Sequence, residues 1–487
     1  MPHIVFPTLR PSRTKIVATV GPASDSEEML AKLIQAGVDV FRLNMAHGKT
    51  DVAQQRLDRI RKVSEKLGVT VGVLADLAGP KMRLGEIPDN LYRCEPDVPM
   101  KFVRGTTATE PNTFTTTYEP LIDELQVGNR VMLADGTVAL EVTEKTADHV
   151  ICKVIQGGPV RSRQGVNLPG ANLSIKTLQL QDIENAKWAV GVGIDFLGLS
   201  FVRTPEDIRE LREILIDAAY DLTGRWSDIP HIVAKIEKPE AVERIEDIVD
   251  ATDGVMVARG DLGVELDIAQ IAVVQKKIIE TCRRKSKPVI VATQMLESMH
   301  HQTIPTRAET TDVANAILDG ADACMLSGET AVGEYPLESV EMMHRIAVQT
   351  EKLLQERLAA QPRLAVKSRS ITRAVSAAAV GLAEEIDAEM ILVSSRSGKT
   401  ALGISNRRGF TFCIGTSWNI RALQRMNLYW GVLPLCHAPT EPRKNLESVV
   451  EAGKAAGYLE HGDRIVLLSG ITPDSVHRNV LYVHIVD

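Results

Sequence analysis

HIVAKIEKPEAVERIEDIVDATDGVMVARGDLG, residues 231–263, decides the fold. An almost unbroken apolar run, HIVAKIE from His231, leads into an amphipathic stretch that opens at Pro239 and closes near Gly254. A second apolar run, GVMVARG, starts at Gly254. Continuous hydrophobicity, as opposed to strict alternation, marks a strand covered on both faces, and such strands belong to parallel sheets. The stretch between them carries helix start and stop signals. The segment therefore reads as a βαβ unit. The same text recurs as KIVATVG from Lys15, VDVFRLN from Val38, VGVLADL from Val71, FLGLSFV from Phe196, PVIVATQ from Pro288 and ACMLSGE from Ala323. Eight β-then-α units close most naturally into a (β/α)8 TIM barrel.

The spacing of the runs divides the chain. Between Val71 and Phe196 the regular repeat fails, with an excess of about 90 residues over an ordinary βα unit. The inserted text, including NRVMLADGTVALEVTEKTADHVICKVIQGG, alternates and is rich in turn dipeptides, so it predicts a small all-β domain. Mounted on a loop at the catalytic face, it is placed to act as a lid. Beyond a helix near 336–356 and a polar stretch, RLAAQPRLAVKSRS, strands and helices alternate again. The expected division is barrel 1–78, lid 79–172, barrel 173–350 and a C-terminal open α/β regulatory domain 351–487.

Composition narrows the function. Hydrophobic residues make up 44% and charged residues 24%, which excludes disorder as the main state. The net charge of −7 argues against a general nucleic-acid-binding surface. No apolar run approaches the roughly 18 residues of a membrane span, and MPHIVFPTLRPSR lacks a signal-peptide core, so a cytoplasmic protein without membrane contact is expected. Six scattered cysteines, with no CxxC, read as reduced and mostly buried.

Functional groups of such a barrel project from the C-terminal strand ends. Strand two ends Arg42-Leu43-Asn44, strand three ends Asp76, strand four Ser200-Phe201 and strand five Lys235-Ile236-Glu237. Strands six to eight run into Arg259-Gly260-Asp261, Thr293-Gln294 and Ser327-Gly328-Glu329. One or two of these are ordinary helix caps; seven polar strand ends point to a site. Lys235 and Glu237, two apart, leave the same strand face. With Asp261 on the next strand, Glu237 makes a carboxylate pair suited to Mg²⁺ or Mn²⁺. The plain alternative is a Lys–Glu ion pair, costly in a barrel mouth without further partners. Gly260-Asp261-Leu262-Gly263 offers amides to an anion, and Arg42 and Arg83 are donors suited to phosphate. The carboxylate pair alone would also serve a metal-dependent barrel lyase or aldolase, and an impaired metabolite sensor is a further reading.

The strings KIVATVGPAS, FRLNMAHG, DLAGPKMR, VNLPG, LSFVRT, AKIEKPEAVERI, DGVMVARGDLGVEL, PVIVATQMLESM and MLSGETAVGEYPLESV, in this order, resemble the pyruvate kinase family along essentially the whole chain. The resemblance implies phosphoryl transfer from phosphoenolpyruvate to ADP, giving ATP and enolpyruvate. It implies that Glu237 and Asp261 hold the divalent ion, Lys235 stabilises the phosphoryl group and the developing enolate, and Arg42 grips the phosphate. Gly260, Asp261 and Thr293 are implied on the carboxylate side, with Thr293 also in proton delivery. Asn44, His47 and Arg83 are implied at the nucleotide, and a homotetramer is expected.

Two departures stand out. The family's potassium region commonly reads NFSHG and DTKGPEIR; here NMAHG and DLAGPKMR keep Asn44 and Asp76 but put Ala46, Leu77 and Lys81 where Ser, Thr and Glu are usual. One positive charge ~4 Å from the phosphates is worth about 4 kcal/mol at an effective dielectric near 20, roughly 10³-fold in rate. Lys81 is expected to supply that charge, making K⁺ unnecessary. The second departure is Gln181, where a nucleotide-reaching lysine is common; Lys176 lies nearby but does not align with it. Finally, Ser394-Ser395-Arg396-Ser397-Gly398-Lys399-Thr400 resembles the loop that holds a phosphorylated allosteric effector, whereas Val393 spoils a Walker A reading.

Overall fold

The computed structural model describes residues 11–47, 50–105, 107–108, 110–171, 173–224, 229–360, 370–436, 441–469 and 480–487. Eight parallel strands close the barrel: β1 (Lys15–Thr19), β2 (Val38–Asn44), β3 (Gly72–Asp76), β4 (Phe196–Leu199), β5 (His231–Ile236), β6 (Gly254–Ala258), β7 (Val289–Ala292) and β8 (Ala323–Leu326). All eight runs singled out in the sequence are strands, joined in chain order with β8 beside β1. β4 and β7 stop short of the polar residues expected to end them. Phe201, Thr293 and Gln294 instead lie just beyond, at φ 57°, 70° and 54°. A β-branched residue at positive φ is strained and persists only where its surroundings hold it.

Strand alternation builds two cores. Ile16, Phe41, Val73, Leu197, Ile232 and Val255 turn outward beneath the helices. Val17, Val40, Leu74, Phe196, Val233, Met256 and Ile290 turn inward. The helices start where side chains satisfy their first amides, as at Ser26, which accepts from the Met29 amide, and at Thr306 with Glu309.

Between β3 and β4 stands a six-stranded sheet whose long hairpin pairs Val138–Lys145 with His149–Gln156. Its own core runs from Met82 to Ala171. At the other end, β9 (Met390–Ser394), β10 (Phe412–Thr416), β11 (Val432–Leu435), β12 (Arg464–Ser469) and β13 (Val480–Ile485) form an open sheet, ordered β11-β10-β9-β12-β13. Only β13 runs antiparallel. The helix Pro336–Ala359 continues straight through the expected domain edge at 350.

The terminal sheet is less separate than its sequence suggests. The inward residues of the barrel floor share one apolar cluster with Val380, Leu423, Met426, Leu428 and Tyr429. At Gly72, which opens β3, a methyl group would lie 3.1 Å from the carbonyl of Gln424. The buried Arg408 donates to the Gly320 carbonyl (2.7 Å), pairs with Asp322 (3.0 Å) and lies over the Trp430 ring. All six cysteines are free thiols. No helix among the described residues is long and apolar enough to cross a membrane.

His231 sits at this floor, edge-on to Phe196. Burial, and then the charge of Arg425, hold its imidazole well below the ordinary value of 6.5, against the pull of Asp253. As pH falls through 6.5 the unfolded chain takes up a proton that the folded chain refuses, so this stabilisation is complete above that pH and fades below it. His231→Gln is expected to flatten the acid loss of stability between about pH 6.5 and 4.5, by up to ~1.4 kcal/mol per pH unit. Urea unfolding across that range checks it; a profile parallel to that of the unaltered chain refutes it.

Candidate active site

Four charged side chains meet at the mouth of the barrel, where β2, β3 and β5 end. The Asp76 carboxylate, 2% exposed, receives Arg42 Nε (2.8 Å), Arg42 Nη2 (2.6 Å) and Lys235 Nζ (3.3 Å) on the same oxygen, Oδ2. Lys235 Nζ also reaches Glu237 Oε1 at 2.9 Å and donates to Ser200 Oγ at 2.7 Å. Ser200 passes the chain on to the Leu77 carbonyl. The two-residue spacing thus puts Lys235 and Glu237 on one face. Burial pulls the Lys235 ammonium toward neutrality, but Asp76 and Glu237 outweigh it and its proton is held above the ordinary range. Asp76 is lowered in turn: burial opposes ionisation, and Lys235 and Arg42 overcome it.

Glu237 behaves differently. Burial raises its carboxyl above the ordinary value, Lys235 lowers it, and the nearby Asp261 raises it further. Its Oε2 accepts the Phe201 amide at 2.7 Å. Two carboxylates that repel one another in a buried mouth favour a shared cation, and their all-oxygen donor set suits a hard divalent ion. The residues present fit such an ion.

Asp261 rides on the short helix Arg259–Glu265, which grows directly out of β6. The Gly260 amide, expected to be open to a carboxylate, is donated to Thr293 Oγ1 at 2.7 Å, while that hydroxyl donates to the Ala292 carbonyl. Arg259 secures the strained Thr293 turn: Nη2 donates to the Thr293 carbonyl at 2.8 Å, and Nη1 to both oxygens of Asp312.

The remaining expected residues are less tightly gathered. Asn44 stands beside Asp76 in register, and its side-chain oxygen accepts the Ala46 amide at 3.0 Å. His47 ends the one-turn helix Met45–His47; its side chain lies outside the described residues. Arg83 belongs to the lid and donates to the lid's own Arg163 carbonyl. Lys81 is exposed and, with Asp261 and Lys238, lines a cleft of about 390 Å³ between lid and barrel. Gln181, in the first turn of Leu180–Val192, turns to Asn185. In the terminal domain Gly398, at φ 82°, caps the helix Lys399–Ser405, and Ser395 Oγ accepts the Thr400 amide. Ser395, Gly398 and Thr400 are buried, whereas Arg396, Ser397 and Lys399 face outward.

Sequence reasoning missed three supports of the mouth. Lys238, next to Glu237, pairs with Glu265 at 2.6 Å and so ties the end of β5 to the helix that carries Asp261. Position alone is the signal: Glu265 lies one helical turn after Asp261. Ser200 was visible as a strand end without a partner to give it a role. Gly198 was invisible, yet a methyl there would lie 2.6 Å from Asp76 Oδ1. Asp76→Asn leaves two buried cations without their shared anion. It is expected to cost about 3–5 kcal/mol of stability, and Gly198→Ala about 1–3 kcal/mol by overpacking. Chemical denaturation measures both, and an unchanged midpoint for Asp76→Asn would remove it from the charge balance.

Comparison with known proteins places this mouth in a family. Residues 11–340 match the family described as pyruvate kinase, barrel domain, and residues 373–484 match pyruvate kinase, alpha/beta domain. A pyruvate kinase of Mycobacterium intracellulare is 39% identical over 479 residues, covering 97% of this chain and 98% of its own. One from Staphylococcus haemolyticus is 38% identical, over 97% of this chain and 80% of that protein. The crystal structure of a pyruvate kinase from Cryptosporidium parvum superposes with a TM-score of 0.89 at 30% identity, covering 98% of this chain and 97% of that one. Agreement that runs through barrel, lid and terminal sheet alike makes the chain a member of the pyruvate kinase family, and with it a phosphotransferase.

Proposed function

We propose that the chain moves the phosphoryl group of phosphoenolpyruvate to ADP, forming ATP and enolpyruvate that is then protonated to pyruvate, with Mg²⁺ (or Mn²⁺) and without a need for K⁺. The observation that carries this reading is the Lys235 ammonium, fixed by Asp76, Glu237 and Ser200 beside Arg42 in a nearly dry mouth. The divalent ion that Glu237 and Asp261 would hold supplies positive charge against the phosphoryl and carboxylate oxygens. Arg42, oriented by Asp76, grips the phosphoryl group. Lys235 faces the oxygen that loses phosphorus and stabilises the enolate charge as it develops; being held in place beforehand, it does not have to reorganise at that moment. The Gly260 amide and the Thr293 hydroxyl turn from each other to the substrate carboxylate. The enolate carbon then takes its proton by way of Thr293 and water. Asn44, His47 and Arg83 serve the nucleotide, and the lid excludes water from it.

Three details support independence from K⁺. Ala46 and Leu77 offer no side-chain oxygen, Asn44 Oδ1 is taken by an amide, and Asp76 already faces two cations. A third cation there would meet repulsion, and Lys81 at the lid–barrel cleft brings its own charge. The loop Ser395–Thr400, with Arg396, Ser397 and Lys399 exposed around Gly398, is read as the place of a phosphorylated effector in a homotetramer. A coupled assay with phosphoenolpyruvate, ADP and Mg²⁺ is expected to yield ATP, and chelation by EDTA to abolish it; a lyase or a sensor would make none. Replacing K⁺ with tetramethylammonium is expected to leave turnover unchanged within about threefold, whereas Lys81→Glu lowers it by up to about 10³-fold. Collapse of turnover in tetramethylammonium would overturn the Lys81 assignment while leaving the phosphotransfer intact.

A further inference from the structure

A second group of metal-binding side chains lies on the loops after β7 and β8. Glu297 and His300 sit three apart on the single-turn 3₁₀ helix Glu297–His300, whose three-residue period stacks them on one face. Their closest approach is 3.8 Å, from Glu297 Oε1 to His300 Nε2. The third member, Glu329, is fully buried and follows β8. Its two oxygens accept the amides of Leu296 (3.1 Å) and Ser327 (2.7 Å). One donor atom from each residue lies within 4.8 Å of the other two.

The imidazole gives the independent indication. His300 Nε2 is sealed from solvent and has no hydrogen-bond partner among the described residues. A ring nitrogen shut away without a partner forfeits the hydrogen bond it would make in water. The ring is held there by Gly328, where any Cβ would overlap it. The pocket is thus shaped around an unsatisfied nitrogen that lies against Gly328 and 3.8 Å from Glu297, with the Glu329 carboxylate in the same cluster.

We propose that Glu297, His300 and Glu329 form a site for a borderline transition ion of the Zn²⁺ class, separate from the Glu237–Asp261 pair. Zinc-class ions take imidazole nitrogen and carboxylate oxygen at about 2.0–2.2 Å, which puts donors of a tetrahedral site roughly 3.4 Å apart. Contraction from spacings of up to 4.8 Å needs shifts of up to about 1.4 Å, shared between the half-exposed Glu297 and the partly exposed His300. Nitrogen sets the selectivity. Imidazole suits zinc, cobalt and nickel, whereas the oxygen-only pair at Glu237 suits magnesium. A bound ion would strap the loop that begins at Thr293 to the loop after β8, fixing the distance between the two. The Gly328 contact and the two amides on Glu329 supply the outer support that orients such ligands.

The test uses the full chain in excess Mg²⁺, titrated with Co²⁺ and followed by its visible ligand-field band and by calorimetry. The expected result is one Co²⁺ equivalent displaced by Zn²⁺, weakened at least tenfold in His300→Gln and retained in Glu237→Gln. His300 is partly exposed, so its variant is the one to rely on should Glu329→Gln not fold; a thermal melt verifies it. Absence of the equivalent, unchanged affinity in His300→Gln, or loss of the band in Glu237→Gln alone would each overturn the proposal. None of these readouts depends on turnover, so failure of the phosphotransfer reading would register separately.

Discussion

An ammonium group with almost no access to water governs the mouth of the barrel. Burying one unit charge in a low-dielectric interior costs several kcal/mol unless opposite charge and hydrogen bonds surround it. Asp76, Glu237 and Ser200 meet that need for Lys235, and Asp76 meets it for Arg42 as well. One carboxylate shared by two cations has to sit close to the neighbouring strand, and that strand accommodates it by carrying glycine at 198. The four charges of Arg42, Lys235, Asp76 and Glu237 cancel, and Asp261 adds one negative charge beside them. Glu237, pushed toward its protonated form by burial and by Asp261 although Lys235 opposes this, is the group whose charge a divalent ion beside it would relieve.

The opposite wall is organised by strain. Thr293 and Gln294 adopt backbone angles that side chains ordinarily avoid, and Arg259, itself clamped by Asp312, holds the turn by its carbonyl. Electrostatics thus orders one half of the mouth and conformational constraint the other. The link between them is the pair Lys238–Glu265, which joins the strand end of Glu237 to the helix of Asp261.

Much of this was legible in the letters of the chain, for identifiable reasons. A strand covered on both faces has to be apolar throughout, so the eight barrel strands announced themselves, as did the residues that break the apolar pattern at their ends. A two-residue step along a strand keeps side chains on one face, which makes Lys235 and Glu237 neighbours by sequence alone. Pairings that join distant loops were not legible: Arg259 with Asp312, Lys238 with Glu265, and the set Glu297, His300 and Glu329 depend on how loops fold back. Gly198 could not be singled out either, because its role is the room it leaves for Asp76. The contact between terminal sheet and barrel was not legible, since Val380, Met426 and Tyr429 look like core residues of their own sheet and give no hint that the barrel floor shares them.

That shared floor bears on how the molecule can vary. In a barrel whose underside is sealed by its own helices or by short polar loops, a terminal module is an accessory that can be lost or exchanged. Here the inward side chains of the strands continue into the apolar core of the neighbouring module, with Arg408 and Asp322 paired at its edge, and the module serves as a stopper. A barrel parted from it would present a ring of naked apolar groups to water, a penalty that couples the fate of one half to the other.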